Sequence, residues 1–208
     1  MTAGAPPVER RRQILDAASR VFSRRGFHAC RVSDIASEAG VAHGLLYHYF
    51  RSKDEVLDEL FVERWALLLR AIEAADARSI PPREKLDQVA GFIIDSYRRD
   101  PDLMKVIIVE VTRAANSFGR THLDEIRRAY ALIERIVRRA QEDGTFRSDI
   151  DPSFASLWFY GSIEQLLSGW IFELIPGADA DYDRARSNLV ETICSGLELR
   201  PDPAPKAG

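Results

Sequence analysis

An all-α protein of about nine helices, a small basic head on a larger helical body, is the fold class the sequence predicts. Three observations predict it. Apolar residues recur at helical spacing almost throughout, and strict alternation of β-branched residues is missing. Helix stop and start signals punctuate these stretches: Gly26, Gly40 and Gly144 as stops, Asp100-Pro101 and Asp151-Pro152 as starts. Charge is uneven: residues 1–54 hold nine Lys and Arg against five Asp and Glu, the remainder 20 against 27, for a net charge of -3.

The elements follow in order. Ile14, Ala17, Ala18, Val21 and Phe22 form an i, i+3, i+4, i+7, i+8 stripe, with Arg10, Arg11, Arg12, Arg20 and Arg24 off it. This predicts an amphipathic helix of about 16 residues stopped by Gly26. Residues 33–40 read as a short helix ended by Gly40, and residues 42–50 as another. Ser52, with Glu55 three residues on, fits a capping box opening a long fourth helix to about Ala75. A loop at 78–82 precedes a helix over 83–99. Pro101 sits in the first turn of the next, which reaches about Ala115. Further helices are expected over 121–143, from Asp151-Pro152 to about Leu174, and over about 181–197. The organisation is then a head at 1–54, a body at 55–199, and a disordered tail at 200–208, rich in proline.

Composition narrows the function. A chain of 208 residues buries enough surface to fold without metal or disulfide. Cys30 and Cys194 form no C-x-x-C pair, which favours a reducing, cytoplasmic setting. No apolar run approaches the ~18 residues of a membrane span, and Met1 to Pro7 lack a signal-peptide core. Enzyme signatures such as G-x-S-x-G and H-E-x-x-H are missing, and His28, His43, His48 and His122 are too scattered for metal spacing. No enzyme, cofactor or metal is expected. A helical protein–protein adaptor is a further alternative, against which the basic head argues.

Two short helices flanking Gly40 make a helix-turn-helix, with 42–50 as its recognition helix. Ile35, Ala36 and Val41 hold the unit together, and Leu46 and Phe50, at i and i+4, face inward. That leaves Ala42, His43, Gly44 and Leu45 to meet a groove, with Tyr47, Tyr49 and Lys53 on the flanks suited to phosphates. Gly44 is poor inside a helix by about 1 kcal/mol. It fits where backbone approaches a base edge, or where crowding must be relieved. Tyr47 reads as a phosphate ligand or as part of the core.

These residues resemble the TetR family of bacterial repressors. The matching string runs through Arg12-Gln13-Ile14-Leu15-Asp16-Ala17-Ala18, Phe22-Ser23-Arg24-Arg25-Gly26-Phe27, Val32-Ser33-Asp34-Ile35-Ala36, Ala39-Gly40-Val41, Leu46-Tyr47-His48-Tyr49-Phe50 and Ser52-Lys53, with spacing kept over about 45 residues. The resemblance implies phosphate contacts at Ser33, Tyr47, Tyr49 and Lys53, and base contacts at His43, Gly44 and Leu45. Leu45 stands where such proteins often carry Thr or Ser, and Ala42-His43 where Ser-Lys or Ser-Arg is common, so the operator sequence stays open.

The resemblance also implies a body that dimerises and binds a small inducer. Trp158, Gly161, Leu166, Gly169 and Trp170 are the expected dimer contacts, the glycines allowing close approach and the tryptophans supplying area. Trp65, Leu68, Leu69, Phe92, Tyr97, Met104, Ile108 and Val111, with Arg113 as a cation, are the expected ligand residues, although an apolar stripe at this spacing also reads as core. Residues 142–152 followed by Phe159-Tyr160-Gly161 resemble the fatty-acid-degradation (FadR-type) branch, which senses long-chain acyl-CoA. The expected function is a homodimeric repressor of operator DNA, released by an acyl-CoA or, alternatively, by apolar or aromatic drug-like molecules.

Overall fold

The computed structural model describes residues 6–112 and 122–198, with side chains to Val109 and again from His122. Among the described residues there are nine α-helices: α1 Pro7–Arg25, α2 Val32–Glu38, α3 His43–Tyr49, α4 Lys53–Ala77, α5 Pro82–Arg99, α6 Pro101–Val106, α7 Leu123–Glu142, α8 Pro152–Ile171 and α9 Asp179–Leu197. Their only extended pairing is an isolated bridge between Phe146 and Glu198. The all-α expectation holds, and none of these helices is long and apolar enough to cross a membrane.

The local signals act as anticipated. Gly26 ends α1 at φ 76°, donating its N–H to the Phe22 carbonyl at 2.8 Å. Gly40, at φ 63°, makes the turn between α2 and α3. Both lie in the left-handed region where an L side chain is strained. Asp100 and Asp151 accept from Leu103 N–H at 3.1 Å and Ser153 N–H at 2.8 Å, each ahead of a proline in the first turn. The box at Ser52 is displaced by one residue. Its Oγ accepts from Glu55 N–H at 3.2 Å, but the Glu55 carboxylate accepts from Arg51 N–H at 2.6 Å.

Two boundaries differ from the sequence reading. The α6 helix gives way to a π-helical turn over Ile107–Thr112, where a β-branched run crowds an α-helix. The expected end at Ala115 lies outside the described residues. The α8 helix closes at Ile171, short of Leu174, because Glu173 turns left-handed at φ 56° and Leu174 N–H donates back to the Gly169 carbonyl at 2.8 Å.

By packing, the chain falls into two compact units: residues 1–68 with 95–125, and residues 69–94 with 126–208. In the first, Ile14, Ala17, Ala18, Val21 and Phe22 of α1 are buried as the stripe requires, together with Ile35, Leu46, Val56 and Leu60. Each buried Val, Leu, Ile or Phe among them contributes roughly 1.5–3 kcal/mol. Ser23 of α1 donates to the Asp102 carboxylate of α6 at 2.6 Å, within this unit. The second unit buries Ile72, Leu86, Val89, Ile133, Val137, Phe159 and Ile163. It also buries the Asp76 carboxylate, which accepts from Arg135 Nε at 2.8 Å and from Arg139 at 3.1 Å, with the Lys85 ammonium 3.8 Å away.

Candidate functional site

The outward row on α3 depends on the two side chains it keeps inside. Leu46 is 0% exposed and Phe50 1%, with the Arg11 guanidinium 4.5 Å over the Phe50 ring. Val41 N–H donates to the Ala36 carbonyl at 3.0 Å, locking the turn between α2 and α3. With that face spent, His43, Gly44, Leu45 and Tyr47 are exposed and Tyr49 is half-buried; Ser33 is exposed on α2. Tyr47 is therefore not core. Its ring meets His43 edge-on, centroids 5.1 Å apart, so the two neighbours on one helical face brace each other. A Cβ at Gly44 would meet no atom within 4 Å. Among the described residues nothing packs against Gly44 that would need it to be small, which leaves room for an outside partner against the backbone.

The sequence reading put the Lys53 ammonium on a phosphate. The structure places it on three backbone carbonyls, those of Phe27 at 2.8 Å, His28 at 3.1 Å and Cys30 at 3.0 Å, and 4.6 Å from the Phe27 ring centroid. Most head arginines are also engaged: Arg11 with Glu59, Arg12 with Asp16 and Glu63, Arg20 and Arg24 with Glu38, Arg25 with Asp34. Hydrogen bonds from Arg20 and Arg24 hold the Glu38 carboxyl below its usual range. The Asp34 carboxyl is lowered first by the Arg31 backbone N–H and then by Arg25. Two arginines that sequence reasoning passed over, Arg31 and Arg51, are exposed and make no ion pair among the described residues. Both border an open cleft of about 440 Å³, shared with Ser33, His43, Tyr47, Lys53 and Asp54. The available signal was position, since one arginine directly precedes α2 and the other follows Phe50.

The expected ligand residues are mostly buried. In the first unit Trp65, Leu68, Tyr97, Met104 and Ile108 are buried; in the second, Leu69 is buried and Phe92 half-buried. The Val111 side chain and Arg113 lie outside the described residues. Trp65 stacks on Phe61 with centroids 4.9 Å apart and donates Nε1–H to the Glu125 carbonyl at 2.9 Å. His122, dismissed on spacing grounds, is buried against Phe61 with Nε2 2.6 Å from an Asp58 carboxylate oxygen. In the second unit the Tyr130 and Tyr160 rings meet edge-on beside Glu164. Burial pushes the Tyr130 hydroxyl up to about 12 and that of Tyr160 well above its ordinary value, so both stay protonated.

The expected dimer residues divide. Trp158 is 52% exposed, flanked by exposed Phe154 and Leu157, and a Cβ at Gly161 would meet nothing within 4 Å. Leu166 is half-buried in a groove of about 660 Å³ between α8 and α9, which Leu189 and Ile193 also line. Gly169 and Trp170 make contacts within their own chain. A Cβ at Gly169 would fall 2.9 Å from the Ile175 side chain, and Trp170 donates Nε1–H to the Pro176 carbonyl at 3.0 Å with its ring edge-on to Tyr182.

Comparison with known proteins follows this division. Residues 14–60 match the family described as bacterial regulatory proteins, tetR family, and residues 82–193 match a tetracyclin repressor-like C-terminal domain. The chain is 30% identical over 188 residues to the fatty acid metabolism regulator protein of Bacillus subtilis (strain 168), covering 89% of this chain and 94% of that one. It is 29% identical over 189 residues to the transcriptional repressor KstR2 of Rhodococcus jostii (strain RHA1), covering 90% and 91%. A crystal structure of the transcriptional regulator FadR from Bacillus subtilis in complex with stearoyl-CoA shares the fold, with a TM-score of 0.79 at 24% identity, over 90% of this chain and 99% of that one.

Proposed function

The chain belongs to the tetR family of bacterial regulatory proteins, and from that premise we propose that it is a homodimeric repressor released from its operator by a long-chain acyl-CoA. The observation that carries the DNA-binding part is the exposed row on α3, mounted on fully buried Leu46 and Phe50. In this reading His43 donates to a purine acceptor, Leu45 touches a thymine methyl, and Gly44 lets the backbone close on the groove. Ser33, Tyr47 and Tyr49 bind phosphate oxygens, which fix register without reading sequence. Two heads reach successive major grooves about 34 Å apart only as a dimer. The apolar surface of α8 at Phe154, Leu157 and Trp158 is the patch that supports one.

For the inducer, the support is the resemblance of the chain to a fatty acid metabolism regulator and, in fold, to a regulator crystallised with stearoyl-CoA. The buried apolar side chains Trp65, Leu68, Tyr97, Met104 and Ile108 of the first unit suit an acyl chain. Such a ligand acts only by preferring the DNA-incompetent state, and operator DNA then weakens ligand binding by the same factor. Calorimetry with acyl-CoAs of increasing length, with free CoA and the free acids as controls, tests this. Affinity is expected to rise by about 0.8 kcal/mol per buried CH₂ until the site is full. Binding of a cationic aromatic dye with no binding of any acyl-CoA would overturn the acyl-CoA reading in favour of a drug-like inducer.

A further inference from the structure

We infer that Arg31 and Arg51 are the cations that seat DNA phosphates beside the recognition helix, and that Lys53 holds the loop carrying Arg31 without touching DNA. The inference rests on the DNA-binding reading above and assigns the electrostatic part of it to residues outside the motif.

A phosphate contact adds affinity when the cation exchanges its counterions for the phosphate. An arginine already paired with a carboxylate has fewer counterions to release and leaves an acid behind if it moves. Arg11, Arg12, Arg20, Arg24 and Arg25 are in that position. Arg31 and Arg51 are exposed and make no ion pair among the described residues, and they line one cleft together with Ser33 and Tyr47. Asp54 is the carboxylate on that lining. Asp34 and Glu55 are also close, but their carboxylates accept from the backbone N–H groups of Arg31 at 2.9 Å and Arg51 at 2.6 Å, leaving the guanidiniums, with donors in a fork that matches phosphate geometry, for the anion.

Lys53 is placed to make this arrangement rather than to join it. An ammonium has three donors, and the carbonyls of Phe27, His28 and Cys30 converge on it at 2.8–3.1 Å. A phosphate would have to displace these bonds. Without the ammonium, three carbonyl dipoles would point at one another in the segment between Gly26 and α2, whose last residue is Arg31. Lys53 is thus a positioning residue that acts through Arg31.

The test uses the full chain and a labelled duplex enriched from a random library by the wild-type protein. Binding is measured between about 50 and 200 mM salt. Arg31→Gln and Arg51→Gln, both at exposed positions, are each expected to flatten the salt slope by about 0.9 for every phosphate contact removed in each head, with the melting temperature unchanged. Lys53→Met is expected to lower the melting temperature and, by displacing Arg31, to lower affinity and flatten the slope as Arg31→Gln does. Added to Arg31→Gln, it should cost no further affinity, a non-additivity that a merely structural role would not produce. Unchanged slopes in both arginine variants overturn the phosphate seat. An unchanged slope in Lys53→Met, or a double variant with a flatter slope or weaker binding than Arg31→Gln alone, overturns the clamp. A wild type that enriches no duplex overturns the DNA-binding reading itself, an outcome visible before any variant is made.

Discussion

Trp158→Ala tests the proposed dimer at the point where the structure makes its magnitude calculable. Trp158 is 52% exposed in the isolated chain and stacks on Phe154, ring centroids 6.0 Å apart. A tryptophan presents up to about 250 Å², so roughly 130 Å² of ring is available to a partner. At about 25 cal/mol per Å² that burial contributes up to about 3 kcal/mol. A two-fold interface uses the same patch twice, which brings the loss on truncation to about 6 kcal/mol per dimer, or about 10⁴-fold in dissociation constant. The other half of the residue is covered by its own chain, so by the same arithmetic the fold of the single chain should lose up to about 3 kcal/mol, a cost separate from that of the dimer. Sedimentation equilibrium across a wide concentration range reads the dissociation constant, and thermal melting at a concentration where both proteins are monomeric reads the fold. A wild type that sediments as a monomer at micromolar concentration refutes the dimer. A variant whose dissociation constant stays within about threefold of wild type, under 1 kcal/mol, refutes the placement of Trp158 in it.

Two further outcomes concern ion pairs. Asp76→Asn removes a buried charge that faces Arg135, Arg139 and Lys85. Two of those cations are half-exposed and return partly to water, so the expected loss is about 2–3 kcal/mol, below the range for a fully buried pair. Urea unfolding measures it, and a loss under about 0.5 kcal/mol, the scatter of ordinary surface substitutions, would contradict the role given to Asp76. The Glu38 carboxyl is lowered from 4.5 in the folded state by Arg20 and Arg24. Its contribution is therefore fully present above pH 4.5 and disappears as pH falls through the lowered value. Glu38→Gln should lack that part of the acid loss, and acid-unfolding curves of equal shape for variant and wild type would rule it out.

How much was legible in the sequence depended on how local each cause was. The α1 stripe, the glycine at φ 76° and the Asp-Pro starts act within a turn or two, and each is where periodicity and capping put it. The π-helical turn at Ile107–Thr112 was not foreseen, because a β-branched run signals apolar character without saying how many residues close each turn. Trp170 and Gly169 illustrate a second limit: a large ring and a small residue on one helix suggest close packing without showing that a left-handed Glu173 folds Ile175 and Pro176 of the same chain onto them. Lys53 shows the third. Its charge and place beside the recognition helix were readable, but not the carbonyls that occupy it, which belong to a loop more than 20 residues earlier in the chain.

The same non-locality changes what the basic head means. An excess of four positive charges in residues 1–54 suggests a broad polycationic surface. The pairing of Arg20 and Arg24 with Glu38, of Arg25 with Asp34, and of Arg11 and Arg12 with Glu59 and Glu63 of α4 turns most of that charge into internal ties. Those ties join α1 to α2 and to α4 and so fix the frame that carries α3. Of the head arginines without an ion pair among the described residues, Arg31 and Arg51 border the cleft beside α3, while Arg10 bonds Gln13. A head built this way draws less on sequence-independent attraction, which scales with the number of phosphates neutralised. On the proposed reading, a larger share of its discrimination then falls to direct contacts from His43, Gly44 and Leu45, the positions at which this chain departs from common family residues or leaves the backbone bare.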